Sequence, residues 1–202
     1  MAPRAGAAAP APAPARASGT LILGIDPGSR FTGFGLVRLD GSRVLYERSG
    51  VFAPKVTLPF ADRLTAVYDG LLALLDQVRP DDVAVERAFV RKSPQAALQI
   101  GHVRGVILLA ARQRGAAIHE YTATEVKMAV ARQGAAAKQQ VEFMVRRLLP
   151  VVGAMREDEA DALAVALCHA HRAPFRAQRE VTAPKPAGRR SVAAAWKRIA
   201  AR

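Results

Sequence analysis

Cysteine is almost missing from this chain. Cys168 is alone among 202 residues, which excludes an internal disulfide framework and any cysteine-rich zinc ribbon. The four histidines, His102, His119, His169 and His171, show no metal-ligand spacing and are expected at the surface or in the core. No apolar run is long enough to cross a bilayer, and the opening MAPRAGAAAPAPAPARASG alternates Ala with Pro instead of forming the continuous apolar block of a secretion signal. No internal repeat is visible. These absences argue against a secreted disulfide scaffold, a zinc module, a membrane protein and a repeat array, and they fit a reducing cytoplasm.

Half of the residues are hydrophobic, enough to bury the core of one domain. Acidic residues are outnumbered, 17 against 30 Lys and Arg, for a formal charge of +13. The excess is unevenly placed: Arg172 to the C-terminus carries +8 and residues 1–20 carry +2, which leaves +3 for residues 21–171. Basic tails favour a polyanion such as nucleic acid, and they also serve as solvated, solubilising arms. The organisation expected is an Ala/Pro arm over 1–19, one folded domain over 20–173 and a basic flexible tail over 174–202.

Within the domain, LILGID has the pattern of a buried strand. TGFGLVRL and RVLYERSGVF, joined across Asp40 and Gly41, form a hairpin pattern. Helical spacing of apolar residues covers Leu58 to Val78; DVAVER is a fourth strand; a helix over 94–114 leads to AAIHEY as a fifth; and helices are expected near 122–131, 137–149 and 157–171. A three-strand meander followed by alternating helices and strands predicts an α/β fold: a mixed five-stranded sheet with helices on both faces. If the first and fourth strands lie side by side, Asp26 and Glu86 become neighbours, each closing a strand of the same direction.

A carboxylate at the end of a buried strand is costly to desolvate unless a cation or several donors meet it. Asp26 alone, in IDPGS, is equally a turn residue bonding nearby amides. Gly33 and Gly35 leave room for something to approach the next strand. Glu86 adds a second such charge in VAVE. Asp158 and Asp161 project from nearly the same side of the helix in REDEADALAVALCHAH, although Glu157, Asp158 and Glu159 also suit a first helical turn through its dipole. Four carboxylates from two strand ends and a helix need positive charge between them. Hard divalent ions supply it, with Mg²⁺ the default, and two of them about 4 Å apart support phosphodiester hydrolysis.

Between Glu86 and Glu120 there is no acidic residue, while Arg87, Arg91, Lys92, Arg104, Arg112 and Arg114 fall in that window with Phe89 among them. A basic edge with an exposed aromatic can face phosphates and stack on an unpaired base, although Phe89 also suits a core plug. Lys127, Arg132 and Lys138 belong to a second basic group.

ILGIDPGSRFTGFGLV, VAVERAFVRKSPQAALQIGHVRGVI, EYTATEVKMAVARQGAAAKQQVEFMV and EDEADALAVALCHAH together resemble the RuvC crossover junction endodeoxyribonucleases, from about Leu21 to His171. The resemblance implies a ribonuclease-H-like fold, a homodimer, and Mg²⁺-dependent paired symmetric nicking of four-way junction DNA, with Mn²⁺ as a substitute metal and RuvA and RuvB as branch-migration partners. It places Asp26, Glu86, Asp158 and Asp161 on the family's catalytic and metal-binding acids. Phe89 falls on its stacking aromatic, and Lys127 and Lys138 on DNA-contacting lysines. Arg91, Lys92, Arg104 and Arg132 are the further DNA-binding candidates. Two departures stand out: Arg87 where Gln is common, and Arg132 where the family often has a loop glycine. Competing readings are a YqgF-like nuclease acting on RNA, an actin-like or sugar-kinase-like nucleotide-binding domain, for which the chain lacks a second Asp-x-Gly hairpin, and an inert basic DNA-binding module.

Overall fold

A computed structural model describes residues 18–87, 93–151 and 153–182. In chain order the elements are β1 (Thr20–Asp26), β2 (Thr32–Asp40), β3 (Arg43–Phe52), α1 (Phe60–Val78), β4 (Asp82–Arg87), α2 (Pro94–Gln113), β5 (Ala117–Thr122), α3 (Ala123–Ala131), α4 (Lys138–Leu148) and α5 (Glu157–Thr182). The strands form one five-stranded sheet in the order β3-β2-β1-β4-β5. β1 is antiparallel to β2 and parallel to β4, as the sequence pattern predicts. The hairpin between β2 and β3 turns on Gly41, whose φ of 58° suits the tight turn that follows Asp40.

β1 is central and covered on both sides, which is why its apolar run is continuous rather than alternating. Its two faces feed two cores. Leu21, Leu23 and Ile25 pack with Val83 and Val85 against α1 and α2, whereas Ile22 lies with Val37, Ala84 and Tyr121 beneath α3, α4 and α5. By the two-residue period of a strand, Gly24 and Asp26 follow Ile22 onto the second face, and Asp82 and Glu86 follow Ala84. Both strand-ending carboxylates therefore belong to the face that α5 covers.

Three glycines set how closely α5 lies on that face. A Cβ added at Gly24 would collide with the backbone oxygen of Ala162, one at Gly33 with the backbone oxygen of Asp158, and one at Gly35 with the side chain and backbone of Leu163. The room on β2 expected for an approaching group is thus filled by α5 itself. Burial of Ala160 and of residues 162–170 explains the helix's almost entirely apolar stretch. Its backbone continues to Thr182, nine residues beyond the boundary expected at 173. No described helix is long and apolar enough to cross a membrane.

Candidate active site

The register that pairs Gly24 with Ala84 and Ile25 with Val85 brings the next residues of the two parallel strands, Asp26 and Glu86, level at the same sheet end. The β1–β2 register sets Asp26 opposite Gly33, and it is over Gly33 that the first turn of α5 descends. Close helix–sheet packing carries Asp161 into the space above the two strand ends. Asp26, Glu86 and Asp161 line one pocket of about 220 Å³ with Lys127 of α3 and Lys138 of α4. Ala123, Val126, Val141 and Ala164 form its apolar wall.

The electrostatics of this pocket are those of crowded carboxylates. Burial, followed by the charges of Glu86 and Asp161, pushes the Asp26 carboxyl up to about 8. Burial and Asp161 push Glu86 up to about 7. Asp161 is also raised, chiefly by burial, although Lys138 opposes the shift. Each value reports a negative charge that the site holds only at a cost. Lys138 supplies the counter-charge: its Nζ lies 2.7 Å from Asp161 Oδ2 and 2.6 Å from Glu157 Oε1. Glu157, expected simply as a helix-dipole residue, thereby joins the charge network.

Asp158 stands at the rim. It does not line the pocket, yet its charge contributes to raising Asp26, and its Oδ2 is 3.6 Å from Arg156 Nη2. Glu159, its neighbour, accepts a hydrogen bond from Ser49 Oγ at 2.8 Å and so ties α5 to β3.

The two lysines reach the pocket by different local devices. Thr122 and Glu125 form a capping box that starts α3: the Glu125 amide donates to Thr122 Oγ1, and the Thr122 amide donates to Glu125 Oε2. This fixes the turn from which Lys127 projects. Lys138 is the first residue of α4 and follows the loop that Arg132 opens. Arg132 has a φ of 57°, in the left-handed region where glycine is unstrained, so an L-residue bears strain here.

The remaining basic candidates separate. Arg104 is not at the pocket; it forms an ion pair with Glu120 of β5 from the other side of the sheet. Arg172, the first charge of the basic C-terminal segment, pairs with Glu125 Oε1 at 2.6 Å; the Thr122 backbone hydrogen bond, then this pair, hold Glu125 down at about 2. Arg132 is exposed. Phe89, Arg91 and Lys92 lie outside the described residues.

The pocket offers oxygen donors only, from three carboxylates with a fourth at its rim, and neither cysteine nor histidine lines it. That donor set, with the charge crowding just described, fits hard divalent cations rather than thiophilic ones. Residues 22–169 match the family described as crossover junction endodeoxyribonuclease RuvC. The chain belongs to the RuvC family.

Relatives bearing the same description support the assignment. The RuvC of Syntrophotalea carbinolica is 50% identical over 150 residues, covering 74% of this chain and 93% of the relative. That of Gluconacetobacter diazotrophicus is 49% identical over 150 residues, covering 74% and 89%. The solved structure of Thermus thermophilus RuvC in complex with Holliday junction substrate superposes with a TM-score of 0.72 at 34% identity, covering 77% of this chain and 96% of that one. The RuvC fold is ribonuclease-H-like, and the family's nuclease chemistry depends on divalent metal, in keeping with the acid pocket.

Proposed function

We propose that this RuvC-family protein resolves Holliday junctions by paired symmetric nicking of DNA strands during recombination and repair, leaving 5′-phosphate and 3′-hydroxyl ends. The observation that carries this reading is the convergence of Asp26, Glu86 and Asp161, from two strands and a helix, on one pocket flanked by Lys127 and Lys138. Asp26, Glu86, Asp158 and Asp161 would hold two Mg²⁺ ions, with Mn²⁺ as a substitute. When bound, such ions activate a water and stabilise the departing 3′ oxygen of a phosphodiester.

The chain's own residues do the rest. Lys127 and Lys138 attract the backbone phosphate toward the acids, and the apolar wall of Val126 and Val141 limits competing water. Arg132, exposed on the loop between the lysines, adds charge to the approach, and Phe89, Arg91 and Lys92 would meet the unpaired bases and phosphates of the junction centre. A homodimer lets each protomer nick one of two strands of like polarity across a pseudo-symmetric junction. An apolar trough along α2, with Leu98 and Leu109 exposed beside Gly101 and Gly105, supports self-association. RuvA and RuvB are the partners in this reading, and the cytoplasm is its setting.

The test mixes the protein with a synthetic four-way junction, linear duplex, structured RNA and ATP, each with and without Mg²⁺ or Mn²⁺. Metal-dependent, symmetric junction nicking is expected, and preference for RNA would transfer the reading to a YqgF-like nuclease. Glu86→Gln is expected to abolish nicking while junction binding persists; cleavage by that variant at high Mg²⁺ would remove Glu86 from the ligand set.

A further inference from the structure

A second cluster of metal-ligating side chains lies on the same face of the sheet as the acid pocket, at the opposite end. Asp82 opens β4, His119 lies in β5, and His169 lies in α5. One ligand atom from each falls within 4.8 Å of the others. His119 Nε2 is 2.9 Å from Asp82 Oδ1, and His169 Nε2 is 3.3 Å from Asp82 Oδ2. For metal–ligand bonds of about 2.0–2.1 Å, tetrahedral donors stand about 3.3 Å apart, so a set that lies within 4.8 Å closes on an ion by side-chain adjustment. The spacing of 37 residues from Asp82 to His119 and 50 from His119 to His169 is invisible to any linear motif.

His169 points to a ligand rather than to a plain ion pair. It is 2% exposed, and its Nε2 is a buried polar atom that meets Asp82 Oδ2 at 3.3 Å without the geometry of a good hydrogen bond. An unsatisfied buried nitrogen is costly unless something else meets it. Its other nitrogen is engaged: Nδ1 lies 2.7 Å from the Tyr121 hydroxyl. With Nδ1–H donating to that oxygen, Nε2 keeps its lone pair and its orientation, the arrangement by which an outer-shell partner fixes a ligating imidazole. The rings of His119 and His169 stack at 4.3 Å, which brings the second imidazole alongside the first. Asp82 and His119 retain about a fifth of their side-chain exposure, at 20% and 21%, which leaves a path from solvent.

We propose that Asp82, His119 and His169 bind a divalent transition-metal ion of the Zn²⁺ type, with solvent completing the coordination. Two imidazoles and one carboxylate select such an ion over Mg²⁺, which prefers all-oxygen ligands. The site is distinct from the acid centre: Asp82 and Glu86 are four residues apart on β4, about 13 Å at strand rise. Its role is structural. β4 and α5 each contribute one ligand here and one carboxylate to the acid pocket, so an ion at this end clamps the two elements whose alignment sets the distance between Glu86 and Asp161.

The experiment uses untagged full-length protein carrying Glu86→Gln and Asp161→Asn, which disable the acid pocket as a competing site, after exhaustive chelation. Co²⁺ is titrated and its visible absorption followed, then displaced with Zn²⁺, and the melting temperature is measured with and without Zn²⁺. Saturation at roughly one Co²⁺ per chain, displacement by Zn²⁺ and a Zn²⁺-dependent rise in melting temperature are expected. Adding His119→Phe, at a partly exposed position, should remove all three signals, with circular dichroism confirming the fold; Asp82→Asn is the second such variant. Absence of the Co²⁺ band and of the Zn²⁺ shift, or persistence of both in the His119→Phe and Asp82→Asn proteins, overturns the proposal and leaves a hydrogen-bonded Asp–His–Tyr network.

Discussion

Replacing Asp26 by Asn should make the protein more stable while disabling the proposed catalytic centre. The folded state raises this carboxyl from 3.8 to about 8, so it binds the proton more tightly than the unfolded chain does. Stability from this group is fully present below pH 3.8 and is lost as pH rises, up to about pH 8. The loss is about 1.4 kcal/mol per pH unit, and some three units of that interval lie below pH 7, so the ionisable Asp26 costs the fold about 4 kcal/mol there. At pH 5 the cost falls to about 2 kcal/mol. Asn still places an amide in the same pocket, so the expected gain is about 2–4 kcal/mol at pH 7 to 8, or roughly 5–15 °C in melting temperature for a domain of this size. The assay is thermal and urea unfolding of Asp26→Asn and wild type at pH 5 and pH 8, in EDTA and again with excess Mg²⁺ or Mn²⁺. The advantage of the variant should widen with pH in EDTA and narrow when cation is added, because cation stabilises only the ionised pocket of the wild type. A variant no more stable than wild type at pH 8 in EDTA would refute the claim that these acids are held together at a cost.

Gly33→Ala places a methyl group into the backbone oxygen of Asp158, so α5 must lift from β2; a destabilisation of about 1–3 kcal/mol in urea unfolding is expected, with junction cleavage falling more than junction binding. At the left-handed position of Arg132, Val should cost about 1–2 kcal/mol whereas Gly should leave stability unchanged or slightly raised, both by thermal unfolding; equal effects of the two would show that backbone strain does not govern this loop.

Much of the framework is local and therefore legible along the chain. The unbroken apolar run of β1 announces a strand buried on both faces, and the two-residue period fixes the faces of Asp26 and Glu86 before any contact is known. The helical spacing of α1 and the alanine-rich interior of α5 identify which elements pack inward. Other features depended on distances no spacing encodes. The glycines of β2 signal a close approach, but a ligand and a helix backbone ask for the same empty space, and only the packed structure assigns it to α5. Arg104 sits in a long stretch without acids and still finds Glu120 once α2 lies against β5, which removes it from the pocket.

Short segments were enough to specify the secondary elements and the chemical type of the acid residues, because propensity, period and charge are local properties, whereas the pairing of the first and fourth strands stayed conditional until the sheet was assembled. Tertiary structure alone decided that Lys138 stands between Asp161 and Glu157, that Asp158 waits at the rim rather than inside, and that Asp82, His119 and His169 meet at the far end of the same face. Those outcomes arise from the register of parallel strands and the height of one helix above a glycine patch, and neither quantity exists until distant segments share a core.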